Sequence, residues 1–370
     1  MKYILRMVLV LIICGRWTMV HAVENGTTLI WTSAESLRVE GKGWADTELY
    51  YERLPGKAKS MVRAAVWNMS RHSAGLVVRF VTDTPELKVR WALLSENLAL
   101  PHMPATGVSG LDLYVRYAGE WRWLAAGRPL KQENEQTLFE NIVPEMREYM
   151  LFLPLYNGVV RLELGVPETA VIRSAPPRTS RPIVWYGTSI TQGGCASRPG
   201  MVASNILSRK LDREIINLGF SGNGKMEPEL AGLLAELNPC MYLLASLENL
   251  LPEDVYQRVM VFVPVLRAAH PDVPILLLES VWFSHAFLRS EAHDHIQRER
   301  AELRRAFEDL QQQGIRNLHY VYGDGLYGLD GEGAVDGIHA TDLGFYRQAE
   351  YLYPLINQLL KKSLPEGQNE

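Results

Sequence analysis

The rhythm of hydrophobic and polar positions changes near residue 180. From about Val23 to Arg173, apolar residues come in short runs that alternate or are dense in β-branched and aromatic side chains. Such runs predict strands over 75–81, 87–91, 111–117, 121–124, 149–155 and 159–164. Ala118-Gly119 supplies a turn between two of them. Tyr156-Asn157-Gly158 predicts a tight hairpin, because Asn-Gly tolerates the left-handed backbone that such turns require. No long amphipathic helix interrupts this stretch, so the pattern predicts a β-sandwich-like N-terminal domain over 23–176. The proline-bearing segment Ser174 to Pro182 suits neither a helix nor a central strand, and 177–182 reads as a linker.

Beyond the linker the period lengthens. Short apolar strands over 183–187, 215–219, 241–245, 275–278 and 318–322 alternate with helical spacing over 201–211, 227–237, 252–269, 286–313 and 341–361. This alternation predicts a doubly wound, parallel five-stranded α/β sheet over 183–362, followed by a polar tail over 363–370. Open sheets of this kind bind ligands beyond the C-terminal ends of their strands, so the residues after each strand carry the interest.

Four clusters stand there. Gly187-Thr188-Ser189 follows the first strand and Ser221-Gly222-Asn223-Gly224 the second. Glu248-Asn249 follows the third, and Asp336-Gly337-Ile338-His339 precedes the last helix. A serine hydroxyl becomes a useful nucleophile when a base takes its proton, and histidine suits that task near neutral pH. Asp336, three residues before His339, can hold Nδ1 while Nε2 faces Ser189. The Ser189 and Gly222 N–H groups and the Asn249 amide are the candidate oxyanion donors. Taken singly, Ser189 reads as a helix cap, the glycine-rich segment as a turn, and Asn249 and His339 as structural residues. Their joint order at successive strand ends favours nucleophilic catalysis.

These residues resemble the SGNH, or GDSL-like, serine hydrolase superfamily. Its four blocks contribute Ser, Gly, Asn and Asp-x-x-His, matched by Ser189, Gly222, Asn249, Asp336 and His339. The run Trp185 to Cys195 looks like a bacterial acylhydrolase subgroup. That subgroup carries an N-terminal domain marked Gly-x-Asp-Leu-Tyr, matched by Gly110 to Tyr114. The resemblance implies a flavodoxin-like SGNH domain, ester hydrolysis through an acyl-serine, and no cofactor or metal. It suggests O-acyl groups on carbohydrates, acetyl foremost. A lipase-like acylhydrolase and a non-catalytic glycan-binding protein on a hydrolase scaffold are the alternatives. Thr188, Glu248, Ala334 and Ala340 depart from the motif: Thr188 from the eponymous Gly-Asp-Ser, the other three from the subgroup's usual residues.

Composition adds bounds. The content of 47% hydrophobic and 22% charged residues is that of a soluble globular chain, and a net charge of −4 offers nothing to nucleic acid. Residues 1–22 read as a signal peptide, with Lys2 and Arg6 before a short apolar stretch and Val20-His21-Ala22 as the cleavage site. A periplasmic or extracellular location follows, with no stable membrane insertion after cleavage. The expected partner is a small-molecule or glycan ester. Cys195 and Cys240 leave a disulfide open. His293 and His295 are two apart on a predicted helix and do not share a face, so they read as solvated. The loop before the Gly-x-Asp-Leu-Tyr strand suggests His102, Thr106 and Asp112 as substrate-binding residues.

Overall fold

The computed structural model describes residues 28–362; the expected signal peptide and polar tail lie outside the described residues. Ten strands form the N-terminal half: β1 Leu29–Ser33, β2 Arg38–Glu40, β3 Val77–Thr82, β4 Leu87–Leu93, β5 Leu111–Tyr117, β6 Glu120–Gly127, β7 Glu133–Phe139, β8 Arg147–Phe152, β9 Val159–Pro167 and β10 Ile172–Ser174. They make two antiparallel sheets, ordered β1-β9-β4-β7 and β10-β3-β8-β5-β6, with β2 beside β3. Alternate residues of both sheets meet in one core, among them Phe80, Val89, Trp91, Leu113, Leu151 and Leu164. Trp91 is fully enclosed there. Two short helices, α1 Ala64–Ser70 and α2 Ala105–Val108, lie outside the sheets.

The Ala118-Gly119 turn joins β5 to β6 as expected, with φ of 51° and 84° at its two residues. The Asn157-Gly158 hairpin is not formed. β8 pairs with β3 and β5, whereas β9 pairs with β1 and β4, so this loop crosses from one sheet to the other. Neither residue has positive φ. Asn157 is buried, and its amide bonds the backbone of Ser95 and the hydroxyl of Ser109 instead. Long-range partners outcompeted the local turn preference.

The C-terminal half follows as β11 Ile183–Gly187, α3 Ser189–Gln192, α4 Ala203–Lys210, β12 Ile215–Gly219, α5 Pro228–Ala235, β13 Met241–Ala245, α6 Pro252–Ala269, β14 Ile275–Leu278, α7 Ser290–Gln312, β15 Leu318–Val321 and α8 Asp342–Lys362. The five strands are parallel in the order β12-β11-β13-β14-β15, the doubly wound arrangement. Strand alternation divides the core. Trp185, Leu243 and Leu276 pack with Ile206 of α4 and Leu352 of α8. Val184, Tyr186 and Leu244 pack on the other face with Leu230, Phe262 and Leu303 of α5 to α7. Helix α7 starts four residues later than the pattern predicts. Ser284 N–H is bonded to Gly337 O at 2.8 Å, which holds this part of the chain in a turn against the 336–339 segment.

Between β10 and β11 no regular element forms. Arg178 of that stretch pairs with Glu40 at 2.6 Å and Asp212 at 3.0 Å, tying the connection to both halves. The Gly-x-Asp-Leu-Tyr strand also faces two ways. Leu111 and Leu113 enter the sandwich core. The intervening Asp112 and the following Tyr114 meet Arg198 of the α/β half, at 2.7 and 2.6 Å. Among the described residues no helix is long and apolar enough to cross a membrane.

Candidate active site

At the end of β11 the chain turns into α3. Thr188 is the N-cap of that helix, its hydroxyl accepting from Ile190 N–H at 3.3 Å. Ser189 is the first helical residue, so its own hydroxyl is released from capping. Gly187 and Gly219 are required by crowding beneath the turn. A Cβ on Gly219 would sit 2.1 Å from Gln192 N.

Ser189 Oγ lies 2.8 Å from His339 Nε2, and His339 Nδ1 lies 2.7 Å from Asp336 Oδ2. Asp336 Oδ1 accepts from the N–H groups of Ile338 at 3.1 Å and His339 at 2.9 Å. Partial burial opposes ionisation of Asp336. The backbone and ring hydrogen bonds from His339, with the Ile338 N–H, outweigh it and bring the carboxyl to about 2. An ionised Asp336 accepts from Nδ1–H, which fixes the tautomer and leaves the Nε2 lone pair facing the serine. The loop holding this pair is closed by a bridge between Ala334 and Ala340. Its flanking bonds run from Val335 N–H to His339 O and from Thr341 N–H to Gly333 O. The Ala340 N–H takes part in neither, so alanine meets the same geometric need as the proline usual in the subgroup.

The loops after β12 and β13 border the serine. Phe220 N–H donates to Gly187 O at 3.0 Å. Gly222 has φ of 67°, and a Cβ there would meet no protein atom. The left-handed backbone is what selects glycine at 222. One amide atom of Asn249 lies 3.1 Å from the N–H groups of both Asn223 and Gly224, which makes it the oxygen and leaves the NH2 as the available donor. Glu248, where the subgroup has proline, accepts from Val281 N–H at 3.2 Å and from the Thr188 hydroxyl at 3.4 Å. Burial pushes its carboxyl upward. This side chain links the nucleophile turn to the segment after β14.

The N-terminal half reaches the site through residues that no local motif marked. Tyr156 Oη donates to Ser189 O at 3.3 Å. Gln192 holds the Ser221 N–H on its Oε1 at 3.0 Å, while its Nε2 donates to Leu155 O and lies 3.0 Å from His72 Nδ1. Burial, and then Arg53, lower the His72 imidazole to about 3, so it is the neutral acceptor in this contact. Arg53 is buried without an ion pair among the described residues. Its guanidinium donates to the carbonyls of His72 at 2.8 Å, Met69 at 2.5 Å and Gly219 at 2.6 Å. Burial brings its pKa down to about 9. Two arms from the 53–72 segment therefore brace the loop that carries Gly222. Arg53→Met should lower turnover about tenfold with little change in the Michaelis constant, the loss of roughly 1.4 kcal/mol of transition-state stabilisation. Kinetics alongside a melting curve check it; a lower melting temperature with normal turnover would make the brace purely structural.

The three expected N-terminal substrate residues separate. His102 is exposed, its ring centroid 5.8 Å from that of His339. Thr106 is committed to Ser197 O at 2.6 Å. Asp112 is fully buried, with Oδ1 taken by the Trp123 indole and Oδ2 by Arg198 and Gly200 N–H. It offers nothing to a substrate, because the strand turns it towards the interface between the halves. Cys195 and Cys240 are both buried and unpaired. They lie at opposite ends of the parallel sheet, which rules out a bond between them. Burial and Asp336 push the Cys195 thiol up to about 12, so it is no rival nucleophile. His293 packs on Trp282 while His295 lies 3.4 Å from Glu299, so the two do not converge.

A profile of the GDSL-like lipase/acylhydrolase family matches residues 180–357, and one for the GxDLY N-terminus of SGNH-hydrolase-type esterases matches 29–172. The crystal structure of a protein described as a GDSL-like lipase from Bacteroides ovatus ATCC 8483 is 34% identical, covering 90% of this chain and 98% of that one, with a TM-score of 0.87. A salicylyl-acyltransferase from a tetracycline biosynthetic pathway is 21% identical over 91% of this chain and 98% of its own, with a TM-score of 0.74. A family two carbohydrate esterase from Cellvibrio japonicus is 14% identical over 90% and 98%, with a TM-score of 0.59. The last two share the fold. No curated protein matches the chain. With a fold shared over 90% of the chain at 34% identity and both profiles matched in order, the chain belongs to the GDSL-like lipase/acylhydrolase family and is a hydrolase of ester bonds.

Proposed function

We propose that this protein is an exported serine esterase that removes O-acyl groups, acetyl foremost, from carbohydrates. The observation that carries the serine mechanism is the continuous relay Ser189–His339–Asp336, at 2.8 and 2.7 Å. His339 Nε2 takes the hydroxyl proton as Ser189 Oγ bonds to the acyl carbon. The electron pair displaced from the carbonyl resides on its oxygen, held by the N–H groups of Ser189 and Gly222 and the Asn249 amide. Collapse expels the alcohol oxygen, which takes the proton from His339. Water then repeats the sequence on the acyl-serine and releases the acid. Asn249→Ala should lower turnover about a hundred- to a thousand-fold while substrate binding changes little, because its donor is needed most in the transition state. An unchanged turnover with a raised Michaelis constant would instead make Asn249 a binding residue.

A carbohydrate substrate is favoured by the β-domain at the rim and by the solved carbohydrate esterases that share this fold. His102 is the N-terminal residue best placed to meet the sugar. His102→Ala should impair deacetylation of a polysaccharide more than hydrolysis of a small activated ester, since contacts remote from the reacting bond act on the larger substrate alone. Equal losses on both substrates would remove that role. The direct test measures acetate released from acetylated polysaccharides. One observation favours the second reading, a lipase-like acylhydrolase. Trp282, Phe287, Tyr327 and Leu329 line a depression of about 260 Å³, with Phe287 and Leu329 largely exposed. Activity rising with acyl length on activated esters, and no acetate from any glycan, would select it. Export rests on residues 1–22. N-terminal sequencing of protein secreted by a host should begin at Val23.

A further inference from the structure

Beside the relay stand two side chains that ester hydrolysis does not require for its bond changes. His102, Cys195 and His339 each present a ligand atom, and the three atoms all lie within 4.8 Å of one another. Two imidazole nitrogens and one sulfur form a borderline-soft set that suits zinc, cobalt or cadmium and disfavours magnesium or calcium. Tetrahedral zinc with bonds of about 2.0–2.3 Å spaces its ligand atoms roughly 3.5 Å apart, so the largest gap needs to close by about an ångström. His102 can supply that movement: it is exposed, and no hydrogen bond among those found in the described residues engages its ring.

Cys195 cannot move far, and it is already aimed. It has φ of 74°, a backbone that side-chain-bearing residues rarely adopt. The turn before it is held by Gly193 and Gly194, whose N–H groups both donate to Ser189 O, at 2.9 and 2.8 Å. The thiol is buried and has no disulfide partner. His339 is prepared as a ligand for the same reason that it is prepared as a base. Its Nδ1 is bonded to Asp336, which leaves the Nε2 lone pair directed at the Ser189 hydroxyl, a hydrogen bond that a cation would replace, and carboxylate–imidazole–zinc is a common supporting arrangement in metal sites. Ser189 Oγ, 2.8 Å from Nε2, or a water can complete four ligands.

We infer that His102, Cys195 and His339 constitute an inhibitory binding site for a thiophilic divalent cation, zinc being the type, seated on the catalytic base itself. Binding forms one metal–sulfur and two metal–nitrogen bonds and releases the thiol proton to solvent. The Nε2 lone pair that would accept the serine proton is then engaged, so acyl transfer stops while the cation is bound. No redox change is involved.

The test uses the metal-free full-length chain. Titration with cobalt(II) should give a sulfur-to-cobalt charge-transfer absorption that saturates near one equivalent and is missing in Cys195→Ala. Zinc should inhibit ester hydrolysis reversibly, with recovery on adding a chelator. Cys195→Ala should keep the metal-free turnover and weaken zinc inhibition roughly tenfold or more, the scale on which zinc sites respond to loss of a supporting group. Cys195→Ser gives the same comparison if the alanine variant does not fold. The absence of the cobalt–sulfur absorption, or identical zinc inhibition in the wild-type and Cys195 variants, would overturn the site. The absorption does not depend on the chain being an active esterase, so a failure of the esterase reading leaves the metal site standing or falling on its own evidence.

Discussion

Ser189→Ala is expected to remove about a million-fold of turnover and to leave the fold intact. Ser189 is 7% exposed, so its hydroxyl occupies a fitted position. Its side-chain hydrogen bond is the one to His339, and that imidazole retains some contact with solvent, so deletion strands no fully buried polar group. Alanine also suits the first turn of α3, where Thr188 supplies the cap. Nothing in the site can replace the lost atom. The Thr188 hydroxyl is held between Ile190 N–H and Glu248, and the Cys195 thiol stays protonated. Steady-state hydrolysis of an activated ester, with a matched melting curve, makes the measurement. Labelling by a serine-directed phosphonate should vanish in parallel. Near-normal activity in a preparation free of host esterases would refute the nucleophile and, with it, the proposed mechanism.

Asp336→Asn should cost about ten-thousand-fold in turnover, the scale seen when a triad carboxylate becomes an amide. The carboxylate accepts three hydrogen bonds, two from backbone N–H groups and one from the imidazole. An amide has one oxygen. If that oxygen keeps the backbone bonds, its NH2 faces Nδ1, and the ring must carry its proton on Nε2, where it can no longer accept from Ser189. The alternative rotamer breaks the turn at Ile338 and His339. Either way the base is lost, whereas substrate binding is not. A tenfold effect or less would place the orientation of His339 elsewhere.

Acid gives a further check on Asp336. Asp336 has a folded-state pKa depressed to about 2, below the roughly 3.9 of an unfolded aspartate. Its contribution to stability is therefore complete above the unfolded value and is lost as pH falls from there through about 2. Protonated Asp336 no longer accepts from the His339 ring, so turnover should be lost by the lower end of that window. Melting temperatures followed downwards from neutral pH should fall below about pH 4. A melting temperature indifferent to pH there would remove this contribution.

Much of the α/β half was legible in the sequence. Five apolar strands of about five residues, alternating with helices, leave a parallel sheet as the economical arrangement, and its loops then gather at one rim. Ser189, Gly222, Asn249, Asp336 and His339 could be located because each sits beside a strand or helix end that the pattern already marked. In the β half, β1, β2, β7 and β10 went unmarked: they lie at sheet edges, where solvent-facing residues blur the alternation. The Asn157-Gly158 signal was real as a local preference but lost to Ser95 and Ser109, residues 62 and 48 positions away.

What only the tertiary structure decided is how the halves meet. Asp112 reads equally well as a recognition residue or a sandwich residue until the pairing of β5 turns it onto Arg198. Arg53 and His72 show no local pattern at all. They matter because folding carries them to Gly219 and Gln192, 166 and 120 positions onward. Periodicity encodes which face of an element is buried, since that depends on neighbours three or two residues away. The identity of the partner on that face depends on how the sheets pair and on how the two halves pack, and no short window of sequence contains that information.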